Sequence, residues 1–198
     1  MSAQGIRSFD RPEYNRREIL RYAQCGGCDD PAMTDMMESC IKECDDHASF
    51  SYRVSYIVLP ICSLDTDTGD MDMEHLHITS RSLAKNLEGC AEVVVFAATV
   101  GPGIDRLIKK YTKNDPVRAL FMQAIGAERV ETLCNLFCET YPSKLRPRFS
   151  PGFGDLPLTI QPEILAVTNA RKNLAITLDS GCLMSPSKSV TAFVGIEN

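Results

Sequence analysis

No run of lysine and arginine marks this chain as a nucleic-acid binder: its 198 residues carry a net charge of −5, and phosphate recognition needs clustered cations. No apolar stretch is long enough to span a bilayer. Residues Met1 to Arg17 are polar and charged, without the apolar core of a secretory signal. A cytoplasmic protein that contacts neither membrane nor nucleic acid is therefore expected. Internal repeats, low-complexity tracts and a clear linker are absent as well. With 44% apolar and 24% charged residues, disorder is not the main state, and the length fits one domain or at most two. What the chain does have is nine cysteines. Their odd number and the missing signal point to free thiols or metal ligands, not a disulfide framework.

Periodicity gives the elements. Pro12 to Tyr22 reads as a first helix and Met33 to His47 as a second, with residues 1–50 forming a helical N-terminal part and 51–198 an α+β body. Ser51 to Ile61 alternates as a strand, and the acidic stretch Leu64 to Met73 reads as a loop or hairpin tip. Thr79 or Ser80 can cap a short helix to Leu87. Ala91 to Thr99 is a β-branched run buried on both faces. Ile104 to Tyr111 is a short helix, and Asp115 with Pro116 opens a long one that keeps a 3.6-residue period to Tyr141. After a break from Pro142 to Pro157 come a helix over Gln161–Asn169 and two closing strands, Leu174–Leu178 and Ser189–Ile196. One α+β domain is the simplest account.

The break carries the most chemistry. Arg146-Pro147-Arg148-Phe149-Ser150-Pro151-Gly152-Phe153-Gly154-Asp155-Leu156-Pro157 packs three prolines and two glycines into twelve residues, an irregular backbone able to aim N–H and C=O groups at a ligand. Arg146 and Arg148 offer forks for a carboxylate or phosphate. Phe149 and Phe153 offer faces for an adenine or a cation. S-adenosylmethionine (SAM) has a carboxylate, an adenine and a sulfonium, one for each. The same composition also suits a surface loop whose arginines cap the long helix.

Residues Arg148 to Pro157 resemble the SAM-binding stretch of the activation domain of vitamin B12-dependent methionine synthase, Arg-x-Ala-Pro-Gly-Tyr followed by a Pro. Leu178-Asp179-Ser180-Gly181-Cys182-Leu183-Met184-Ser185-Pro186-Ser187-Lys188-Ser189-Val190 resembles that domain's Leu-Thr-Glu-Ser-x-x-Met-x-Pro-x-x-Ser-Val. The likeness is sharp over residues 146–196, looser over 91–141 and weak before 90. It implies a mostly antiparallel, twisted sheet with flanking helices, in a short stand-alone form. It implies SAM held by Arg148, by the backbone at Ser150, Pro151 and Gly152, by the ring of Phe153, and by an acid of the long helix, Glu128 first and Glu131 second. Phe153 stands where the family has tyrosine, so a hydroxyl is lost. The implied task is reactivation of cobalamin carried by a methionine synthase or another corrinoid protein, with a flavoprotein as electron donor. Proximity would do most of the work, so no catalytic residue is expected. An adaptor that no longer binds SAM is the second possibility.

A third possibility is a metal or iron–sulfur protein, with Cys25, Cys28, Cys40 and Cys44 as a four-thiolate set; the alternative is that Cys40 and Cys44 are buried on a helix face. Cys134 and Cys138 fit core packing. His75 and His77 read as solvated. Gly101-Pro102-Gly103 has Arg106 where a dinucleotide loop needs its third glycine. Ser185-x-x-Lys188 matches a nucleophile motif by letter but without the helix start it needs. The run Asp65 to Asp72 lacks the spacing of a calcium loop.

Overall fold

The computed structural model describes residues 3–27 and 30–197. In chain order its first elements are β1 (Gln4–Ser8), α1 (Arg16–Tyr22), α2 (Pro31–His47), β2 (Arg53–Leu64), β3 (Asp70–Met73), β4 (Leu76–Thr79) and α3 (Arg81–Leu87). They are followed by β5 (Glu92–Thr99), α4 (Gly103–Tyr111), α5 (Pro116–Glu139), α6 (Gln161–Val167), α7 (Ala170–Leu174), β6 (Thr177–Leu178), β7 (Met184–Ser185) and β8 (Ser189–Gly195). The result is a single α+β domain built on a curled antiparallel sheet with the order β4-β3-β2-β5-β8.

β2 is the spine of that sheet. One edge pairs with β5 from Arg53 to Pro60. The other edge takes two partners in turn, β1 opposite Arg53–Ile57 and β3 opposite Ile61–Leu64, with a register shift between Ile61 and Ser63. Pro60 sits between them. The Ile61 N–H points to the β5 side, where it donates to the Ala91 carbonyl, so the missing N–H of Pro60 falls on the opposite edge, where neither β1 nor β3 needs it. The shift bends the strand and lets β3 and β4 curl away from β1.

β5 is the centre of the core, as its apolar run implies. Val94, Phe96 and Ala98 face α5, with Leu133 and Phe137 against them. Val93 and Val95 face α3 and the β3–β4 hairpin, and Ala97 faces α6 and α7. All six are fully buried, and each valine or phenylalanine so placed contributes about 1.5–3 kcal/mol. A separate apolar cluster joins α1, α2, α4 and the first half of α5.

Helix starts follow the sequence signals. The Asp30 side chain accepts from the Ala32 N–H ahead of Pro31, Ser80 accepts from Leu83, and Asp115 accepts from Arg118 ahead of Pro116. Three expectations need correction. Residues 4–8 form a strand, so the N-terminal part is not wholly helical. The first helix begins at Arg16 because Pro12 to Asn15 is an extended strap, tied by its backbone to Glu128 and Arg129 of α5. The stretch 174–178 is not one closing strand: Asn169 and Ala175, both left-handed, bracket the short helix α7, and β6 pairs with β7 in a two-stranded hairpin outside the main sheet.

Candidate ligand-binding site

The segment after α5 is stitched to β8 before it turns. Arg146 N–H donates to the Gly195 carbonyl at 2.8 Å, and Phe149 and Phe193 exchange N–H···O bonds of 2.9 and 2.8 Å. Past Phe149 the backbone coils on itself. Phe153 N–H donates to the Ser150 carbonyl and Gly152 N–H to that of Leu156. Gly152 and Gly154 have φ of +91° and +54°, the left-handed region that glycine enters without penalty. At Gly154 a β-carbon would also lie 2.6 Å from Ser82 Oγ.

Asp155 fastens this coil to the start of α3. Its carboxylate accepts from Ser80 Oγ at 2.5 Å, Arg81 N–H at 2.8 Å and Ser82 N–H at 3.1 Å. The Ser80 hydroxyl first, then the Ser82 and Arg81 amides, hold the carboxyl well below the usual range. A depressed carboxyl contributes stability that is fully present above its unfolded pKa, about 3.9, and is lost as the pH falls below that value. The stability advantage of the wild type over Asp155→Asn should therefore be steady from pH 5 to 7 and shrink by pH 3. Urea midpoints of both proteins at pH 7 and pH 3 check this, and an advantage unchanged at pH 3 contradicts it.

Against the coil lies an open groove of about 410 Å³. Glu131 of α5, Ser150, Pro151 and Phe153 of the coil, Leu158 and Gln161 at the entry to α6, and Cys182 to Met184 with Ser187 and Ser189 to Thr191 line it. The two stretches singled out in the sequence, 148–157 and 178–190, thus meet across one cleft. Its floor is fixed by Gln161, buried, whose Oε1 accepts from Thr191 Oγ1 at 2.8 Å. Behind the lining residue Glu131, Arg148 Nη2 donates to Glu131 Oε2 and to Asn135 Oδ1, each at 2.9 Å. Of the groove's apolar residues, Phe153 and Leu183 are 65% and 63% exposed, and Leu158 is 42% exposed. These are large apolar groups left open to water beside a concavity, the usual mark of a contact site. A larger groove of about 490 Å³ lies between residues 8–11, the C-terminal end of α2 and the start of β2, away from both stretches.

Of the candidate residues, Ser150, Pro151 and Phe153 line the groove, Gly152 shapes the turn between them, and Arg148 is bonded to a lining residue. Glu128 is elsewhere. Three residues before Glu131, it points about 60° around the helix, is 1% exposed, and is held by Arg129, Thr132 Oγ1 and the Asn15 N–H. The acid at the groove is Glu131. Leu158, Gln161, Cys182 and Leu183 were not singled out individually from sequence. Leu183 stood inside the second quoted stretch, but nothing in its local pattern marks it as exposed at a cleft.

The remaining candidates have structural explanations. Cys40 and Cys44 are buried on the apolar face of α2, with Cys44 Sγ 3.4 Å from Met122 Sδ; burial pushes the Cys40 thiol up to about 11. Cys25 Sγ donates to its near neighbour, the Ala23 carbonyl, and Cys28 lies outside the described residues. Among the described residues no three His, Cys, Asp or Glu side chains gather as a metal set. Burial pushes Cys134, in the core, up to about 12. His77 pairs with Asp72 at 2.8 Å on the exposed hairpin. Gly103 is there for packing: a β-carbon would overlap the Ala48 carbonyl. Lys188 Nζ donates to Gln123 Oε1 at 2.6 Å, not to Ser185.

A curled antiparallel sheet, a long helix along one face and a cleft beyond the end of that helix make up an α+β fold. Among solved structures the chain is similar to the MetH reactivation domain bound to AdoHcy, with a TM-score of 0.69 over 98% of this chain and 78% of that one, at 13% identity. At that identity the likeness is one of fold. No family model and no curated protein matches the sequence, and no described helix is long and apolar enough to cross a membrane.

Proposed function

We propose that the groove binds SAM and that the chain is a reactivation module working in trans on a cobalamin-dependent methionine synthase or another corrinoid protein. One observation carries this: the two stretches that resemble the family's motifs line a single cleft, together with Glu131, which Arg148 holds. An amino-acid head group carries an ammonium and a carboxylate on one carbon. Glu131 and Arg148, 2.9 Å apart, offer a partner for each, and the Arg148 fork is not spent on Glu131. Phe153 offers a face to the adenine. The solved neighbour is bound to AdoHcy, the demethylated product of SAM, which supports the same ligand class here.

When bound, SAM supplies a methyl electrophile to the reduced corrinoid brought by the partner, with electrons from a donor such as a flavoprotein. This chain's residues hold the head group, seat the ring and exclude water, so the rate gain comes from position. Calorimetric titration of SAM and of AdoHcy into the purified protein tests the proposal. Binding in the micromolar range is expected. A folded protein that binds neither ligand overturns it and leaves a corrinoid-protein adaptor as the better account.

A further inference from the structure

The hairpin β6–β7 is anchored at its base, by the buried Ile176 ahead of β6 and by Ser187 after β7, whose N–H and Oγ donate to Asp105. Its strands are two residues each and belong to no larger sheet. Beyond that base, Leu178 and Met184 pack, half-buried, on the apolar cluster beneath it. Its tip is nonetheless a rigid unit. Asp179 Oδ1 accepts from Gly181 N–H at 2.8 Å and Leu183 N–H at 2.9 Å, and the Asp179 and Cys182 amides close the loop through backbone bonds of 3.1 Å. A rigid tip on short strands can swing as one piece.

That tip carries Leu183 into the groove. Leu183 and Phe153 are the two most exposed large apolar side chains among the described residues, and both line the same cleft from different segments. Each exposed apolar face has a cost in water that a flat ligand between them removes. The occupant follows from the charged pair and the apolar side chains that the cleft brings together. The Glu131–Arg148 pair suits a zwitterionic head. The Phe153 ring, 6.4 Å between centroids from that of Phe149, adds an aromatic face. A molecule with a zwitterionic head and a flat heteroaromatic tail matches both.

We infer that Leu183 is a specificity-determining residue, the second jaw of a clamp in which the hairpin tip closes over the adenine ring seated on Phe153. This rests on the proposed SAM site and adds the residue and the motion that select the ring. Closure buries the Leu183 side chain and loads the tip onto the ligand. Affinity for the ring-bearing part should then depend on Leu183, and affinity for the head group on Arg148.

Calorimetry with AdoHcy on the wild type, Leu183→Ser, Leu183→Met and Arg148→Ala separates the two, with hydrogen exchange of residues 179–184 followed on adding AdoHcy. Leu183→Ser should weaken AdoHcy about five- to tenfold, the loss of one apolar contact, while Leu183→Met stays within about twofold because it refills the same volume. The tip should exchange more slowly in the wild-type complex and not in that of Leu183→Ser. If Arg148→Ala loses affinity but Leu183→Ser binds like the wild type, or if the tip gains no protection, the clamp is wrong and the SAM site stands. If the wild type binds no AdoHcy, both fall together.

Discussion

Arg148→Ala should lower SAM affinity about 10- to 100-fold while the protein stays folded. The magnitude follows from what is removed. A guanidinium–carboxylate hydrogen bond contributes about 1.5–3 kcal/mol in a partly desolvated site, and each 1.4 kcal/mol is a factor of ten in Kd. Arg148 is well placed for such a bond, because Glu131 and Asn135 already hold its Nη2 from the same helix. The side chain is 23% exposed, so its charge is shielded from bulk water and less of it is screened by salt. Arg148→Lys should recover only part of the loss, since a point charge cannot reproduce the planar fork. Calorimetry of the three proteins, with circular dichroism to confirm folding, gives the answer. A folded Arg148→Ala protein within about threefold of the wild type removes Arg148 from the site. The pair with Glu131 also predicts which acid matters: Glu131→Gln should weaken SAM binding, and Glu128→Gln should not, because Glu128 faces the strap.

How much of this was legible in the sequence depends on where the information is held. Local signals placed α2, α3 and α5 well, because Asp30, Ser80 and Asp115 satisfy helix amides within three residues of themselves. β5 was legible because seven of its eight residues are buried, so no alternation was needed to recognise it. β1 was missed for the opposite reason. Gln-Gly-Ile-Arg-Ser has almost no apolar content, and its strand character comes from pairing with β2, about 50 residues away in sequence. The helix α7 was missed because its ends are set by left-handed Asn169 and Ala175, and alanine at such a position carries no sequence signal. In the site, Arg148, Ser150, Pro151 and Phe153 came from a contiguous stretch with a recognisable pattern. The choice between Glu128 and Glu131 did not, since both lie on one helix and only the direction of the strap decides which faces solvent.

That strap gives the second large effect. Arg129→Ala should destabilise the fold by about 3–5 kcal/mol, the range for breaking a buried ion pair from one side. Arg129 is completely buried. Its Nε and Nη2 donate to both oxygens of Glu128 at 2.6 Å, Nη1 donates to the Pro12 carbonyl at 2.6 Å, and Nη2 also donates to the Glu13 carbonyl at 2.7 Å. The guanidinium stacks on Tyr14, 4.0 Å from its ring centroid. Alanine leaves Glu128 as a buried charge with only Thr132 and the Asn15 amide, and leaves two carbonyls of the strap unpaired; both cost free energy on their own. Because the strap leads into α1, protease cleavage between residues 9 and 16 should rise as well. Most of the penalty belongs to the stranded carboxylate and not to the lost attraction, so neutralising it should help. Arg129→Ala with Glu128→Gln should recover about half or more of the loss, a coupling that a double-mutant cycle reads directly. Urea unfolding of the wild type, both single variants and the double variant measures all of these. Additive losses would show that the two residues act independently. Arg129→Ala within about 1 kcal/mol of the wild type would show that the strap is held by its apolar side chains, with α5 serving only as a surface for them.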